Sequence, residues 1–321
     1  MCSTASTPRR ASTPPRSPRS RDGAVSPASQ QAVPQKPCPP PDPAPSTPRI
    51  AMPADACDTH AHIFGPAAKY AWNPARGYTP PDALPAAYEH LHRVLGVTRA
   101  VITQPSVYGI DNAATLDYVA ADLARRRAVV SVGADVTDRE LAAMHDRGAR
   151  GIRVNIADPG GNPFKSFAEL RAVAERLKPM GWHIELLLHV DQADLDELRA
   201  LPVDISIGHF GYMPAAMGVD HPKYRAFLDL VGEGHCWVKL TGPYRITARQ
   251  QLPYDDTVPF ARALVARRPD RIVWGTDWPH PMCPVPMPND GTMADMLLDW
   301  VPDEAVRKRI LVDNAAALYG F

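Results

Sequence analysis

Short apolar runs alternate with amphipathic stretches along most of this chain. From residue 52 onward, eight runs of β-branched or apolar residues predict strands, and the stretches between them repeat their apolar residues at helical spacing. The predicted strands are Asp55–Phe64, Arg99–Gln104, Val129–Ala134, Gly151–Ile156, His183–His189, Val203–Gly208, Trp237–Thr241 and Arg271–Gly275. The predicted helices are Ala83–Leu95, Asn112–Arg126, Asp138–Arg147, Phe167–Met180, Ala193–Ala200, Lys223–Val231 and Asp256–Arg267.

This alternation predicts an α/β protein, and eight strand–helix units are typical of a parallel (β/α)₈ TIM barrel. A doubly wound open sheet is the main competitor, but no GxGxxG or GxxxxGK(S/T) phosphate loop follows any predicted strand. Asp138 is predicted to cap a helix N-terminus, and Gly148 and Gly181 lie where helix C-caps favour glycine. We therefore predict that residues 52–321 form one barrel.

Residues 1–51 have a different composition. Residues 1–50 hold 13 of the 36 prolines, with seven basic and two acidic side chains and hence a net charge of +5. Such a segment buries too little apolar area to offset the entropy of ordering it, so we predict a disordered tail. Two alternatives remain open: a start codon set too early, with translation beginning at Met52, or a transit peptide.

Composition excludes several classes of protein. Lys and Arg number 35, and so do Asp and Glu, so the 321-residue chain lacks the charge of a nucleic-acid binder. No apolar run reaches the ~18 residues of a membrane span. Five cysteines without a CxxC pair predict no disulfide framework and favour a reducing compartment, so we expect a cytoplasmic protein. The oligomeric state is open between monomer and homo-oligomer.

Polar residues follow several predicted strands, at the end where barrel enzymes place their chemistry. His60 and His62 end the first strand, and alternation along a strand points both into the barrel. His189 ends the fifth strand, His209 follows the sixth, and Asp277 follows the eighth. Each alone has a plainer interpretation, such as a solvated loop, a core histidine or a helix cap. Together they predict a catalytic constellation.

Asp277 lies between Trp274 and Trp278, an apolar setting that predicts a raised carboxylate pKa. His280 is close to it in sequence and is expected to support it as a hydrogen-bond donor.

These residues resemble the pattern of the amidohydrolase superfamily: HxH on strand 1, His on strands 5 and 6, and Asp on strand 8. The segments HAHIFGP, QPSVYGIDNAAT, LTGPYR and WGTDWPHP are similar to its lactone-hydrolysing branch, which includes 2-pyrone-4,6-dicarboxylate lactonase. The resemblance spans Asp55 to Phe321 and implies a carboxylic ester hydrolase that opens a lactone. It implies Asp277 as the base that activates water, with His60, His62 and His189 polarising the carbonyl and His209 in support.

The same resemblance bears on cofactors. Most of the superfamily uses these positions to hold a divalent metal, and a one-zinc set would be His60, His62, His189 and Asp277. The lactonase branch works without a metal. Arg153 and Asn155 occupy the fourth strand, where two-metal members carry a bridging Lys or carboxylate, so two metals are not expected. We expect no obligatory metal, with one Zn²⁺ as the alternative.

Substrate contacts can also be carried over. Tyr78, Ser106 and Arg153 match contact positions of the branch, Arg153 being the one that grips a carboxylate, and Tyr212 and Arg245 are further candidates. The pattern has more arginines after strands 4 and 6, where this chain reads DPGGNP and GYM. Because bidentate Arg contacts are the strong ones, a lactone with one carboxylate, or a sugar-acid lactone, is expected.

Three alternatives remain. A lactone isomerase needs the same carbonyl activation, and a metal-dependent decarboxylase is another outcome of the superfamily. A ligand-binding barrel without catalysis is the third, although it gives little physical reason to bury Asp277 beside His60 and His62.

Overall fold

Parallel strands follow one another around a barrel in the computed structural model, which describes residues 1–2, 36–157 and 161–321. The strands in chain order are β1 Lys36–Pro37, β2 Cys57–Ala61, β3 Tyr78–Thr79, β4 Arg99–Thr103, β5 Arg126–Val130, β6 Ala149–Asn155, β7 His183–Leu187, β8 Ile205–Ile207, β9 Cys236–Leu240 and β10 Ile272–Trp274. Strand β2 and strands β4 to β10 form one eight-stranded parallel sheet in sequence order. The predicted (β/α)₈ barrel is confirmed.

Helices cover the outside of the sheet. They are α1 Pro85–Leu95, α2 Ala113–Ala120, α3 Asp138–Asp146, α4 Phe167–Leu177, α5 Leu195–Arg199, α6 Pro222–Glu233, α7 Val258–Arg267, α8 Asp290–Trp300, α9 Glu304–Lys308 and α10 Asn314–Tyr319. Short 3₁₀ turns span Ser106–Tyr108, Lys178–Met180, His209–Tyr212, Ala215–Met217, Pro243–Arg245, Asp255–Thr257 and Pro269–Arg271, and a π-helical turn spans Arg309–Asp313. None of the helices among the described residues is long and apolar enough to cross a membrane.

Several predicted boundaries need correction. Thr137, not Asp138, caps α3, because its hydroxyl accepts from Glu140 N while the Glu140 carboxylate accepts from Thr137 N. Strand β5 begins at Arg126 rather than Val129, since Arg127 reaches out of the strand to the carbonyl of Gly320 and an apolar pattern misses such a residue. Gly148, with φ +95°, follows α3 as predicted.

The barrel closes where its first strand meets its last. Thr59 Oγ1 donates to the Trp274 carbonyl at 2.8 Å, and Thr276 Oγ1 donates to Asp58 Oδ2 at 2.6 Å. His62 N donates to the Trp278 carbonyl at 2.8 Å. These bonds join β2 to β10 and to the loop that follows β10.

Part of the segment predicted as tail lies against the barrel. Asn289, at the start of α8, accepts from Ser46 Oγ at 2.6 Å and donates to Asp42 Oδ2 at 2.9 Å. Asp295 on α8 accepts from the backbone of Arg49 and of Ile50, and Ile50 is buried. The predicted boundary at residue 51 is therefore wrong for residues 38–50, because polar side chains at the start of α8 and along it bind this proline-rich segment. Residues 3–35 lie outside the described residues, so disorder there stays a prediction.

Truncation tests this correction. A protein that starts at residue 52 should be less stable than one that starts at residue 36, by at least about 2 kcal/mol, because burying Ile50 alone contributes that much. Thermal unfolding of the two truncated proteins side by side measures the difference. Equal melting temperatures would mean that residues 36–51 contribute nothing to the fold.

Candidate active site

Strand β2 places two histidines at the carboxyl end of the barrel. His60 lies in the strand and His62 follows it directly, and both are buried. Their ring centroids are 5.0 Å apart in an edge-to-face arrangement. The alternation of the strand therefore brings the two imidazoles to one place, as the sequence predicts.

Asp277 meets these histidines from the far end of the chain. Its Oδ1 lies 3.5 Å from His60 Nε2 and 3.7 Å from His62 Nε2, and its backbone N donates to the His60 carbonyl at 2.8 Å. Asp277 has a φ of +64°, a left-handed conformation that costs energy in a non-glycine residue. The surrounding contacts hold the backbone there, and this aims the carboxylate at the histidines.

A second left-handed turn carries His209. The turn follows β8, and His209, Phe210, Gly211 and Tyr212 all have positive φ values. A Cβ on Gly211 would lie 2.8 Å from a methyl of Val190, so this position requires glycine. His209 Nδ1 lies 3.2 Å from the Thr241 carbonyl and 3.9 Å from Asp277 Oδ2.

His189 does not join this group. Strand β7 ends at Leu187, so His189 lies in the following loop, half-buried, with its ring 5.1 Å from that of Tyr212. The residues whose ligand atoms lie within 4.8 Å of one another are His60, His62 and Asp277. The predicted four-residue metal set is thus reduced to three among the described residues, because His189 lies beside Tyr212 and outside the group.

Glu185, not His189, is the polar residue of β7 that faces His60. Glu185 Oε1 lies 3.2 Å from His60 Nδ1, and Lys239 Nζ donates to Glu185 Oε2 at 2.5 Å. Burial alone would raise the pKa of Glu185, but Lys239 and His60 hold it well below its usual range. All three side chains are buried. A buried ion pair between Glu185 and Lys239 therefore contacts Nδ1 of His60, the nitrogen that points away from Asp277.

The protonation of His62 follows from its hydrogen bond. Its Nδ1 lies 2.7 Å from the Thr103 carbonyl, which can only accept, so Nδ1 carries the proton. Burial lowers the pKa of His62 to about 4, so the ring is neutral at pH 7. His62 Nε2 therefore presents a lone pair to the carboxylate of Asp277.

The lone pair of His62 Nε2 and the carboxylate of Asp277 repel each other, and a cation between them would remove that repulsion. His60, His62 and Asp277 offer two imidazole nitrogens and a carboxylate oxygen, a ligand set used for catalytic zinc. The 3.5 and 3.7 Å separations are close to the roughly 3.3 Å expected between tetrahedral ligands of zinc. Glu185 and the Thr103 carbonyl lie at the opposite nitrogens, where outer-shell partners orient metal-binding histidines.

The predicted rise in the Asp277 pKa is wrong. Burial alone would raise the Asp277 pKa, but the neighbouring His209 and the Arg245 guanidinium hold it well below its usual range. Tyr244 OH also donates to Asp277 Oδ2 at 2.6 Å. The tryptophans exclude water, but they do not outweigh these polar neighbours, so Asp277 is ionised at neutral pH.

The predicted substrate-contact residues line one cavity next to Asp277: Tyr78, Ser106, Arg153, Tyr212 and Arg245. Arg245 Nη2 lies 3.4 Å from Asp277 Oδ2, and this arginine also donates to the carbonyls of the loop after β10. Arg153 Nη1 donates to the Gln104 carbonyl at 2.7 Å, while its buried Nε has no hydrogen-bond partner among the described residues.

Four buried polar residues of this region were missed: Glu185, Lys239, Tyr244 and Asp290. A signal existed for two of them, since a charged residue interrupts the apolar strands HIELL and CWVKL. Tyr244 stands in the quoted LTGPYR segment, but nothing in the sequence shows that its hydroxyl reaches Asp277. His280, predicted to support Asp277, reaches it through Tyr244, with Nδ1 3.0 Å from the hydroxyl that bonds Asp277.

A family model described as amidohydrolase matches residues 57–321. The chain belongs to the amidohydrolase family. It is 39% identical to a 4-sulfomuconolactone hydrolase of Hydrogenophaga intermedia over 85% of this chain and 91% of that protein. It is 34% identical to a D-galactarolactone isomerase of Agrobacterium fabrum over 85% of this chain and 94% of that protein.

A solved structure agrees with this family assignment. The structure of a protein named as a possible 2-pyrone-4,6-dicarboxylic acid hydrolase, from Pseudomonas putida, has a TM-score of 0.72 and 31% identity. The match covers 84% of this chain and 98% of that one. The predicted resemblance to the amidohydrolase superfamily is confirmed.

Proposed function

We propose that this amidohydrolase hydrolyses a small organic lactone. The observation that carries the proposal is an ionised, buried Asp277 at the floor of a cavity, with His60 and His62 beside it. A carboxylate in that position can accept a proton from water as the water attacks an ester carbonyl. The relatives named as lactone hydrolase and lactone isomerase act on compounds of the same class.

One carboxylate, that of Asp277, can carry out both proton transfers of the reaction. Asp277 Oδ1 accepts a proton from water while the water oxygen bonds to the lactone carbonyl carbon. The bond from that carbon to the ring oxygen then breaks, and Asp277 returns the proton to the ring oxygen. The product is an open-chain hydroxy acid, which ionises and releases one proton to solvent. Tyr244 and Arg245 hold Oδ2 throughout, so Oδ1 stays turned toward the substrate.

Carbonyl polarisation favours the one-cation alternative. A neutral His62 with its proton on Nδ1 has no proton on Nε2 to donate to a carbonyl oxygen. His60, His62 and Asp277 would instead hold one divalent cation. When bound, such a cation polarises the carbonyl and lowers the pKa of a bound water.

The cavity supports a substrate with one carboxylate or a sugar-acid lactone. Of the two arginines that line it, Arg245 already contacts Asp277 and the loop after β10. Arg153 keeps a buried Nε without a partner among the described residues, which suits a substrate anion. Tyr78 and Tyr212 offer hydroxyl groups to a sugar acid.

Acid release from a lactone panel tests the proposal. The full chain is assayed with a pH indicator against neutral, monocarboxylate, dicarboxylate and sugar-acid lactones, before and after chelation and after Zn²⁺ is restored. Proton release that needs the added metal would support hydrolysis with a cation, and release that survives chelation would support the metal-free arrangement. No release from any lactone would overturn hydrolysis.

Arg153→Met is expected to raise KM at least tenfold for carboxylated lactones and to leave KM for neutral lactones within about twofold. The reason is that a charge-assisted hydrogen bond to an ion contributes about 1.5–3 kcal/mol. Steady-state kinetics on the two lactone classes measure the effect. Equal changes for both classes would make Arg153 a structural residue.

Lactone isomerisation is the second candidate, favoured by the 34% identical D-galactarolactone isomerase. In that reaction Asp277 takes its proton from a substrate hydroxyl, and no acid is released. Proton NMR of sugar-acid lactones incubated with the enzyme distinguishes the two, because isomerisation yields a second lactone and hydrolysis yields an open chain.

A further inference from the structure

A line of hydrogen bonds leads from Asp277 to the start of α8. Tyr244 OH donates to Asp277 Oδ2 at 2.6 Å, and His280 Nδ1 lies 3.0 Å from the same hydroxyl. On the other side of its ring, His280 Nε2 lies 3.1 Å from Asp290 Oδ1. All four side chains are at least 98% buried, so water does not compete for these bonds.

The number of available protons decides which group donates in each of these hydrogen bonds. The Asp277 carboxylate only accepts, so the single hydroxyl proton of Tyr244 points to it. His280 Nδ1 must then donate to the Tyr244 oxygen. The remaining contact holds one proton, either on His280 Nε2 or on the Asp290 carboxyl group. In both cases Asp290 keeps a proton on His280 Nδ1. Because Nδ1 donates to the Tyr244 oxygen, the hydroxyl proton of Tyr244 stays directed at Asp277.

We infer that Asp290, His280 and Tyr244 are positioning residues for Asp277. They occupy Oδ2 with a short, directed hydrogen bond, which turns Oδ1 toward His60 and His62. Without Asp290, the His280 proton can lie on Nε2 instead of Nδ1. Nδ1 then accepts from the Tyr244 hydroxyl, which turns away from Asp277, and the Asp277 carboxylate loses its orientation. Asp290 thus acts on the reaction through two other residues, His280 and Tyr244, without touching the substrate cavity.

The backbone gives independent support. Asp277 and His280 both have left-handed φ values, +64° and +60°, and His280 N donates to the Asp277 carbonyl at 2.7 Å. Two strained residues in one four-residue turn persist only where the surrounding structure holds them. The hydrogen-bonded line is one set of contacts on this turn, beside the backbone bond from Asp277 N to the His60 carbonyl and the bond from Arg245 to the Pro281 carbonyl.

A double-mutant cycle tests the inference, which rests on the proposed lactone hydrolysis. Tyr244→Phe and Asp290→Ala are each expected to lower kcat at least tenfold with KM within about threefold. The double variant should be no slower than Tyr244→Phe alone, because Asp290 acts only through the Tyr244 hydroxyl. Asp290→Asn should recover part of the lost kcat, since its amide can still donate to His280 Nε2.

Asp303→Ala is the control for an effect on stability alone, since Asp303 caps the start of α9 and lies outside this line. It should lower the melting temperature without changing kcat. If the Tyr244 and Asp290 effects on kcat add, or if Asp290→Ala changes only stability, the inference is wrong.

Crystal structures keep this test separate from the proposed reaction. In Asp290→Ala the Asp277 carboxylate should turn away from its wild-type orientation, whatever the substrate is. An unchanged Tyr244–Asp277 bond in that variant would overturn the inference even if no lactone is ever hydrolysed. Failure of the wild-type enzyme on every lactone, with a turned carboxylate in the variant, would overturn only the proposed function.

Discussion

Asp277→Asn is expected to lower kcat about 10³-fold, within the range that general-base catalysis contributes. The amide has the shape of the carboxylate but cannot accept a proton from water. Asparagine also adopts the left-handed backbone that Asp277 requires, with φ +64°, so the fold should keep its stability. Steady-state kinetics on the preferred lactone, with thermal unfolding on the same samples, measure both quantities.

Asp295→Asn provides the control for this experiment. Asp295 lies on α8 and binds the segment of residues 38–50, away from the cavity. Its kcat should equal that of the wild type. If Asp277→Asn also keeps the wild-type kcat, Asp277 is not the base.

Lys239→Met should destabilise the protein by about 3–5 kcal/mol, the cost of leaving one member of a buried ion pair alone. Lys239 Nζ donates to Glu185 and to the Thr59 carbonyl at 2.7 Å, and methionine supplies neither bond. The variant leaves the Glu185 carboxylate inside the barrel without its main counter-charge. Urea unfolding at pH 8 measures the loss.

The stability lost in Lys239→Met should depend on pH. In the wild type the pKa of Glu185 is held well below its usual range, so its contribution to stability is present above the unfolded pKa and is lost in acid. In Lys239→Met, burial raises that pKa above its unfolded value, so the contribution is lost as the pH rises. The stability deficit of the variant should therefore be larger at pH 8 than at pH 5.

The double variant Glu185→Gln/Lys239→Met removes both charges and should recover part of the stability at pH 8. A double variant no more stable than Lys239→Met would show that the unpaired charge is not the cause.

The barrel was predictable because each strand and helix has its own local signal. Alternation and apolar runs give eight strands in order, and a parallel sheet of that order leaves few topologies. The exact ends were not predictable where a residue serves two elements. Arg127 is the second residue of β5 and also binds the last residues of the chain, and His189 falls outside a strand that stops two residues earlier.

The candidate site was predictable only where spacing or strand position carries information. His60 and His62 share one strand face, and Asp277 follows the last strand, so their convergence follows from the barrel. The pKa of Asp277 depends on His209 and Arg245, which lie in the turns after β8 and β9, and no sequence pattern gives those distances. For the same reason the segment 38–50 reads as tail by composition, although α8 binds it.

The hydrogen bonds that join β2 to β10 and to the loop after β10 have a consequence for biosynthesis. Asp58 and Thr276 are 218 residues apart in the chain, and the bonds between β2 and the loop after β10 are also the bonds that bring His60 to Asp277. A growing chain that lacks residues 272–278 therefore has neither a closed barrel nor the meeting of His60 with Asp277. The two halves of the candidate site come together only after nearly nine-tenths of the chain has been synthesised.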